Sequence, residues 1–289
     1  MSVEGRVAII TGAGGGLGKE HALLLAKNGA KLVINDLGGS VDGSGKSDAA
    51  DLVVEEVRAM GGEAVANKDS VSDKAGAKNI VATAMKEYGT VDIVVNNAGI
   101  LRDKSFKKMT LEEWDLVLSV HLNGSAYVTW HAWPIMYEKN YGRVIFTSSV
   151  SGILGSFGQS NYGAAKMGMV GLMNNLSREG ASHNIHTNCL SPGAATRMTA
   201  SVPGSSIDAD NPDPGNHPGL VSPVILYLAS EEAPNGRIIQ AARGKYASDM
   251  VYANTGVDLG EEATAEDFLA ATDDILDMSD AVPKTTFWR

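Results

Sequence analysis

A short apolar run that ends in closely spaced glycines is the feature that most constrains how this chain can fold. Residues 7–10 read Val-Ala-Ile-Ile, and residues 11–18 read Thr-Gly-Ala-Gly-Gly-Gly-Leu-Gly. The apolar run predicts a buried strand, and the glycines predict a tight turn into a helix. Glycines let the backbone approach a pyrophosphate closely, and the helix N-terminus stabilises its charge. We therefore predict a dinucleotide site at Gly12, Gly14, Gly16, Leu17 and Gly18, although a glycine-rich stretch alone is also typical of a flexible turn.

The second apolar run ends in an acidic residue whose position suits a bound ribose. Residues 31–35 read Lys-Leu-Val-Ile-Asn, and Asp36 follows 18 residues after Gly18. A carboxylate at this spacing accepts hydrogen bonds from a free ribose 2′-hydroxyl and repels a 2′-phosphate. Leu37 supplies no cation that would offset the repulsion. Asp36 therefore predicts NAD rather than NADP as the cofactor, the alternative being a turn residue at the end of a strand.

A tyrosine and a lysine lie one helical turn apart in the middle of the chain. Tyr162 and Lys166 share a helix face at this spacing, and Ser149 closes an apolar segment upstream. An ammonium beside a phenol favours its ionised form and lowers a pKa that is normally about 10. We expect Tyr162 to act as a general base, helped by Lys166 and an oxidised nicotinamide ring, while Ser149 holds the substrate oxygen. Taken alone, the pair is also typical of an ordinary amphipathic helix.

These motifs together resemble the short-chain dehydrogenase/reductase family, over residues 5 to 245. Two further segments carry the resemblance, Asn-Asn-Ala-Gly at residues 96–99 and Ser-Pro-Gly at residues 191–193. The resemblance implies one α/β domain, a doubly wound Rossmann sheet of seven parallel strands with helices on both faces. Residues 1–245 would form this catalytic domain, and residues 246–289 a C-terminal tail that packs on the same or a neighbouring subunit.

The resemblance also implies a role for each residue of the site. Tyr162 would be the acid/base, Ser149 the substrate anchor, and Lys166 the residue that tunes Tyr162 and holds the nicotinamide ribose. The remaining residues would bind the cofactor along the adenine, ribose and carboxamide: Asp69, Ser70, Asn97, Ala98, Gly99, Pro192, Gly193, Ala195 and Thr196. We predict no metal site.

One position departs from the family pattern. The family carries an asparagine that helps a bound water relay protons from the catalytic lysine, whereas this chain has His121 in that register. A histidine ring nitrogen could relay protons in the same way. A histidine between apolar residues is also typical of a buried structural position, so both interpretations stay open.

A narrower resemblance concerns the substrate. Several segments look like the (3R)-hydroxyacyl-CoA dehydrogenase domain of peroxisomal multifunctional enzyme type 2 and its stand-alone bacterial relatives. It implies oxidation of a (3R)-3-hydroxyacyl-CoA in fatty-acid or sterol side-chain breakdown, without a hydratase or sterol-carrier domain. A hydroxysteroid or other bulky alcohol is the alternative substrate, and a catalytically silent oligomerisation module is the non-enzyme alternative. The segments are residues 35–39, a polar insertion at 40–46, and residues 65–71, 99–103, 157–162 and 197–199.

Two surface features bear on substrate binding. Arg102, Lys104, Lys107 and Lys108 form a basic cluster after the Asn-Asn-Ala-Gly turn that could meet CoA phosphates, or could be a solvated helix start. Residues 197–220 include a stretch rich in proline and glycine, which we interpret as a substrate-binding lid rather than a surface linker.

Composition limits the classes of partner and location. The formal charge of −10 disfavours nucleic acid and anionic membranes as partners. The sequence contains no run of about 18 apolar residues that could span a membrane, and residues 2–5 lead directly into the first strand, so we expect no signal peptide and a cytoplasmic location. The single cysteine, Cys189, allows no intrachain disulfide and is expected to be buried.

In the tail, we expect an acidic amphipathic helix over residues 265–278 and an apolar site for Phe287 and Trp288. We expect the whole protein to form a homodimer or homotetramer.

Overall fold

The computed structural model describes residues 2–45, 47–202, 204–209 and 211–283. Phe287 and Trp288 lie outside the described residues. The contacts divide the chain into two compact units, Met1–Ala247 and Ser248–Arg289. No helix in the described part is long and apolar enough to cross a membrane.

One large sheet organises the first unit. Its spatial order is β3-β2-β1-β4-β5-β6-β7-β8, and the strands from β1 to β7 pair in parallel. The strands are β1 Val7–Thr11, β2 Lys31–Asn35, β3 Glu63–Asn67, β4 Ile93–Asn96, β5 Gly142–Thr147, β6 Ile185–Gly193, β7 Ile238–Ala242 and β8 Lys245–Asp249.

The predicted doubly wound α/β fold is confirmed, with one strand more than predicted. Arg243 and Gly244 separate β7 from β8, with φ angles of 51° and 71°. Two consecutive residues in the left-handed region form the tight turn of a β-hairpin, so β8 runs back along β7. The seven predicted parallel strands are present, and β8 was not predicted because the hairpin lies where the parallel pattern ends.

Helices cover both faces of the sheet, as predicted. Alternate residues of β1 face opposite sides: Ala8 and Ile10 pack with α1, α2 and α9, whereas Val7 and Ile9 pack with α3, α5 and α7. The helices of the first unit are α1 Gly16–Lys27, α2 Ala49–Ala59, α3 Lys74–Tyr88, α4 Leu111–Leu118, α5 Gly124–Glu138, α6 Val150–Ile153, α7 Ser160–Glu179, α8 Arg197–Ala200 and α9 Ser222–Ala229. A π-helical turn, Ser119–Asn123, joins α4 to α5, and 3₁₀ turns cover Ala181–His183, Pro214–Asn216 and Pro218–Leu220.

The strand order places the candidate site. β1 pairs with β2 on one side and with β4 on the other, so the direction of winding reverses between β1 and β4. In open parallel sheets, ligands bind at the carboxyl ends of the strands beside such a reversal. The glycine-rich segment follows β1 at this point.

The second unit is small. Two short strands, β9 Tyr252–Ala253 and β10 Val282–Pro283, pair antiparallel, and two short helices lie between them, α10 Ala265–Ala270 and α11 Thr272–Leu276. The predicted continuous helix over residues 265–278 was therefore wrong. The Asp277 carboxylate accepts hydrogen bonds from the Ser279 N–H and hydroxyl, and such local bonds compete with continuation of a helix.

Candidate active site

The turn after β1 leaves no room for a side chain at Gly12, Gly14 or Gly18. A Cβ atom on Gly18 would lie 2.3 Å from the Gly12 carbonyl oxygen, and one on Gly14 would lie 2.6 Å from the Ala49 Cβ. Gly12 and Gly16 have φ angles of 64° and 51°, which favour glycine. No side chain caps the N-terminus of α1. The turn therefore presents bare backbone at a helix N-terminus, which fits a pyrophosphate.

Asp36 lies against this turn, as its spacing predicted. One carboxylate oxygen accepts a hydrogen bond of 2.7 Å from the Gly14 N–H, and the other accepts one of 2.7 Å from the Gly38 N–H. Both bonds orient the carboxylate at the end of β2, beside the open backbone. A ribose joined to a pyrophosphate on the turn would be within reach of such an acceptor.

Asn97 and Ala98 hold the turn to the end of β4. The Asn97 side-chain amide donates to the Thr11 and Gly12 carbonyl oxygens, each at 3.0 Å. The Thr11 hydroxyl oxygen accepts from the Asn97 and Ala98 N–H groups, also at 3.0 Å. The sequence analysis expected these two residues to line the cofactor. The observed contacts add a second task, which is to fix the shape of the turn.

The predicted adenine and carboxamide residues lie at the same sheet edge. The Asp69 carboxylate accepts from the side-chain amides of Asn67 and Asn79 at 2.8 and 2.6 Å, and Ser70 follows it. Pro192 and Gly193 end β6, and the Ala195 N–H donates to the Asn216 carbonyl oxygen at 2.8 Å. The Thr196 hydroxyl caps α8, and its methyl lies 3.5 Å from where a Cβ on Gly16 would be. Residues near 195 thus meet the glycine-rich turn.

Ser149, Tyr162 and Lys166 come together between β5 and α7. Ser149 begins α6, and its hydroxyl oxygen accepts from the Ser151 N–H at 3.1 Å. Tyr162 and Lys166 are buried on α7, and the Lys166 ammonium lies 5.2 Å from the Tyr162 ring centroid. It donates to the Thr147 carbonyl oxygen at 2.5 Å.

The electrostatic tuning of Tyr162 differs from the prediction. Burial raises the pKa of Tyr162 to about 12, the Asp103 charge acts in the same direction, and the Ser149 hydrogen bond opposes both. Burial also lowers the pKa of Lys166 to about 7. The expected lowering of the Tyr162 pKa by Lys166 is not found in the protein alone, because removal from water dominates. The combined effect of Lys166 and an oxidised nicotinamide ring stays a prediction.

His121 lies in the π-helical turn and packs against Tyr162. Its ring meets the Tyr162 ring edge-on, with centroids 5.1 Å apart. Its Nε2 lies 3.0 Å from the Ile100 nitrogen and 2.8 Å from the Ile100 oxygen. Burial, followed by the Lys166 charge, holds the pKa of His121 well below its usual range. A Cβ on Gly99 would lie 2.3 Å from the ring, so the glycine makes space for the histidine.

Comparisons with known proteins agree with this arrangement. The family model described as short chain dehydrogenase matches residues 6–205. The chain belongs to the short-chain dehydrogenase family. A short-chain type dehydrogenase/reductase of Mycobacterium tuberculosis is 49% identical over 96% of both chains. The peroxisomal multifunctional enzyme type 2 of Drosophila melanogaster is 51% identical over 84% of this chain, which spans 40% of that enzyme.

A solved structure extends the similarity to the fold. A short chain dehydrogenase from Mycobacterium avium superposes with a TM-score of 0.84 at 36% identity and covers 98% of both chains. The chain is therefore an oxidoreductase of the short-chain dehydrogenase family that resembles the dehydrogenase domain of multifunctional enzyme type 2. Membership of this family implies a nicotinamide cofactor, which fits the bare turn and the adjacent Asp36.

Two members of the predicted basic cluster form ion pairs, and the other two do not within the described part of the chain. The Arg102 guanidinium lies 3.7 Å from Asp42, and the Lys104 ammonium lies 2.6 Å from Glu113. Lys107 and Lys108 are exposed, and neither forms an ion pair within the described part of the chain. These two lysines retain charge that is free to meet an anion.

The sequence analysis gave no role to one pair of residues that the structure places beside the candidate site. Asp103 and Gln159 form a hydrogen bond of 2.6 Å near Ser149 and Tyr162, although they are 56 residues apart. Both lie in segments that carry the family resemblance, but nothing in their spacing predicts that they pair.

Cys189 is buried as expected, and burial raises the pKa of its thiol to about 12, which makes it unreactive.

Proposed function

We propose that this protein oxidises (3R)-3-hydroxyacyl-CoA to 3-oxoacyl-CoA with NAD. The observation that carries the proposal is the meeting of Ser149, Tyr162 and Lys166 at the sheet edge that also holds the glycine-rich turn. A hydroxyl, a phenol and an ammonium in contact are the groups needed to bind an alcohol and remove its proton.

Asp36 supports NAD as the cofactor. Its carboxylate faces the turn through the Gly14 and Gly38 amides, where a 2′-phosphate would meet negative charge. A neutral 2′-hydroxyl instead gains an acceptor. NADP-dependent reduction of carrier-protein substrates is disfavoured by the same argument.

Each of the proposed catalytic residues has its own task in the reaction. A bound nicotinamide would supply the acceptor for the hydride of the alcohol carbon, and its positive ring would favour the phenolate form of Tyr162. Ser149 donates its hydroxyl to the phenolic or substrate oxygen, and Tyr162 takes the proton of the alcohol. Lys166, whose pKa burial lowers to about 7, can exchange its own proton near neutral pH.

His121 completes the proposed site as a neutral ring. Its Nδ1 is buried and has no hydrogen-bond partner among the described atoms. A buried nitrogen of this kind can hold a water molecule, which supports the relay interpretation over a purely structural one. The Nε2 contacts with Ile100 keep the ring beside Tyr162.

The substrate assignment depends on the exposed part of the basic cluster and on the narrower family resemblance. Lys107 and Lys108 can meet phosphate groups of CoA, and the described residues of the segment 197–220 can enclose the acyl chain. The resemblance to the dehydrogenase domain of multifunctional enzyme type 2 supports the (3R) stereochemistry. A cytoplasmic location remains a prediction, and relatives described as peroxisomal exist.

A homo-oligomer is supported by exposed apolar side chains on three helices. Leu111 on α4, Trp130 on α5 and Met167 on α7 are 77%, 70% and 44% exposed. Large apolar residues that stay in water commonly mark interaction surfaces. Light scattering of the purified chain distinguishes a monomer from the predicted dimer or tetramer.

A screen of NADH formation tests the proposed function. The substrates are both enantiomers of 3-hydroxyacyl-CoA over a range of chain lengths, the free hydroxy acids, hydroxysteroids and simple secondary alcohols. We expect the (3R) thioester to be oxidised far faster than the (3S) form, because fixed oxygen and nicotinamide positions admit one enantiomer. Preference for a hydroxysteroid would replace the substrate assignment, and no reduction of NAD with any alcohol would support the silent module.

A further inference from the structure

A chain of hydrogen bonds leads from Asp103 to the substrate anchor. The Gln159 side-chain N–H donates to an Asp103 carboxylate oxygen at 2.6 Å, and the Ser151 hydroxyl donates to the Gln159 carbonyl oxygen at 2.7 Å. The Ser151 backbone N–H donates in turn to the Ser149 hydroxyl oxygen at 3.1 Å. Three residues, Asp103, Gln159 and Ser151, are thereby joined to the Ser149 hydroxyl.

The backbone joins the segments around Asp103 and Gln159 as well. The Lys104 N–H donates to the Gly158 carbonyl oxygen at 2.9 Å, and the buried Asn161 side chain donates to the Arg102 carbonyl oxygen at 3.2 Å. Asp103 is held between these two contacts. Its second carboxylate oxygen is buried and has no hydrogen-bond partner among the described atoms. The carboxylate is therefore fixed in place rather than solvated.

This chain of bonds determines the direction in which Ser149 can donate. A serine hydroxyl has one proton, and its oxygen here already accepts a bond from the Ser151 N–H. The proton is consequently free to point toward Tyr162, whose pKa the Ser149 side chain lowers. Gln159 fixes Ser151, and it also directly precedes α7, the helix that carries Tyr162.

We propose that Asp103 and Gln159 are positioning residues of the reaction, which act through Ser151 to orient the Ser149 hydroxyl toward Tyr162 and the substrate oxygen. This rests on the proposed function, since it takes Tyr162 as the acid/base and Ser149 as the anchor. Neither residue needs to touch the reacting atoms. They affect the geometry of Ser149 and Tyr162, which contact the reacting atoms.

The Asp103 charge has a second consequence that a structural role alone would not produce. The charged or titratable groups that face Tyr162 are Lys166 on its own helix, His121 on the π-helical turn and Asp103 on the loop after β4. Burial raises the pKa of Tyr162 and the Asp103 charge raises it further. Removing that charge lowers the Tyr162 pKa, so the phenolate forms at lower pH and the oxidation rate rises at lower pH.

Two variants separate position from charge. Asp103→Asn keeps an oxygen that can accept from Gln159 but removes the charge, so kcat should stay near wild type while the acid limb of kcat/KM shifts to lower pH. Gln159→Met removes both hydrogen bonds at similar size, so kcat should fall about 10- to 100-fold with the dissociation constant for NAD unchanged. Asp115→Asn on α4 removes an equal but exposed charge and should match wild type in both measurements.

Controls keep the outcomes distinct. Thermal unfolding and NAD binding establish that each variant folds. Ser151→Ala removes the hydroxyl bonds to Gln159 and to Ser156 but keeps the backbone bond to Ser149, and it replaces Gln159→Met if that variant does not fold. A pH profile of Asp103→Asn that superposes on wild type, together with an unchanged kcat in the Gln159 or Ser151 variant, overturns the inference. If Tyr162→Phe also keeps its turnover, the proposed function fails instead.

Discussion

The proposed nucleotide half of the site, from Gly12 to Asp36, differs from the proposed substrate half, from Arg197 to Leu220, in what holds it in place. In the nucleotide half, backbone amides and carbonyls make the contacts, and glycine positions leave no room for a Cβ. In the substrate half, short 3₁₀ turns alternate with segments whose described side chains are largely exposed.

This difference has a physical basis. Backbone groups are present whatever the side chains are, so a turn of fixed shape can bind the invariant pyrophosphate of a cofactor. Substrate recognition depends on individual side chains carried by loops, which tolerate change at little cost to the fold. The proposed catalytic residues, at the start of α6 and on α7, lie between the halves, where both ligands would meet.

Loss of Tyr162 should have the largest effect, because it removes the chemistry without altering either half. We expect Tyr162→Phe to lower kcat by about 100- to 10,000-fold, since general acid/base groups contribute on this scale. Steady-state kinetics together with NAD titration measure turnover and affinity separately. Retention of more than about a tenth of wild-type kcat would remove Tyr162 from its proposed role.

A methyl group on the glycine-rich turn tests whether the nucleotide half depends on backbone shape. Gly18→Ala places a Cβ 2.3 Å from the Gly12 carbonyl oxygen, so the turn must shift. We expect NAD affinity to fall at least about tenfold and the free energy of unfolding to fall by about 1–3 kcal/mol. Gly171→Ala on α7 is the matched control, because a Cβ there meets nothing within 4 Å. Equal effects of the two substitutions would contradict the argument.

Cofactor choice is the one place where the nucleotide half depends on a side-chain charge. Asp36→Ala combined with Leu37→Arg removes the repulsion and adds a phosphate partner, which should move kcat/KM toward NADP by about tenfold or more. Measurements with both cofactors on wild type and variant give the ratio. A wild-type preference for NADP would show that the ribose role of Asp36 is wrong.

The substrate half should respond more weakly to single charges. Replacing Lys107 and Lys108 with Ala should raise KM for a CoA thioester by a few-fold, since exposed ion pairs contribute about 0.2–1 kcal/mol each. KM for a small alcohol should stay constant. Lys78→Ala on α3 is the control, because this lysine is also exposed but lies far from Lys107 and Lys108 in the sequence. An equal rise in KM for the control variant would show that Lys107 and Lys108 do not bind the substrate.

The corrections to the predictions have a common cause. The Tyr162 and Lys166 spacing placed both residues on one helix face, but it could not reveal that burial would raise the Tyr162 pKa to about 12. Likewise, the basic cluster was visible as four neighbouring charges, whereas the partners that neutralise Arg102 and Lys104 come from other segments. Desolvation and ion pairing depend on distances across the fold.

Local patterns in the amino-acid sequence by themselves determined the strands, the glycine-rich turn, Asp36 and the catalytic helix, because each depends on spacing within about 20 residues. Only the tertiary structure decided that Asp103 meets Gln159, that His121 lies edge-on against Tyr162, and that the space beside Gly99 admits that ring. Those contacts join segments far apart in the chain. Their formation follows from how the sheet and helices pack, which no local pattern encodes.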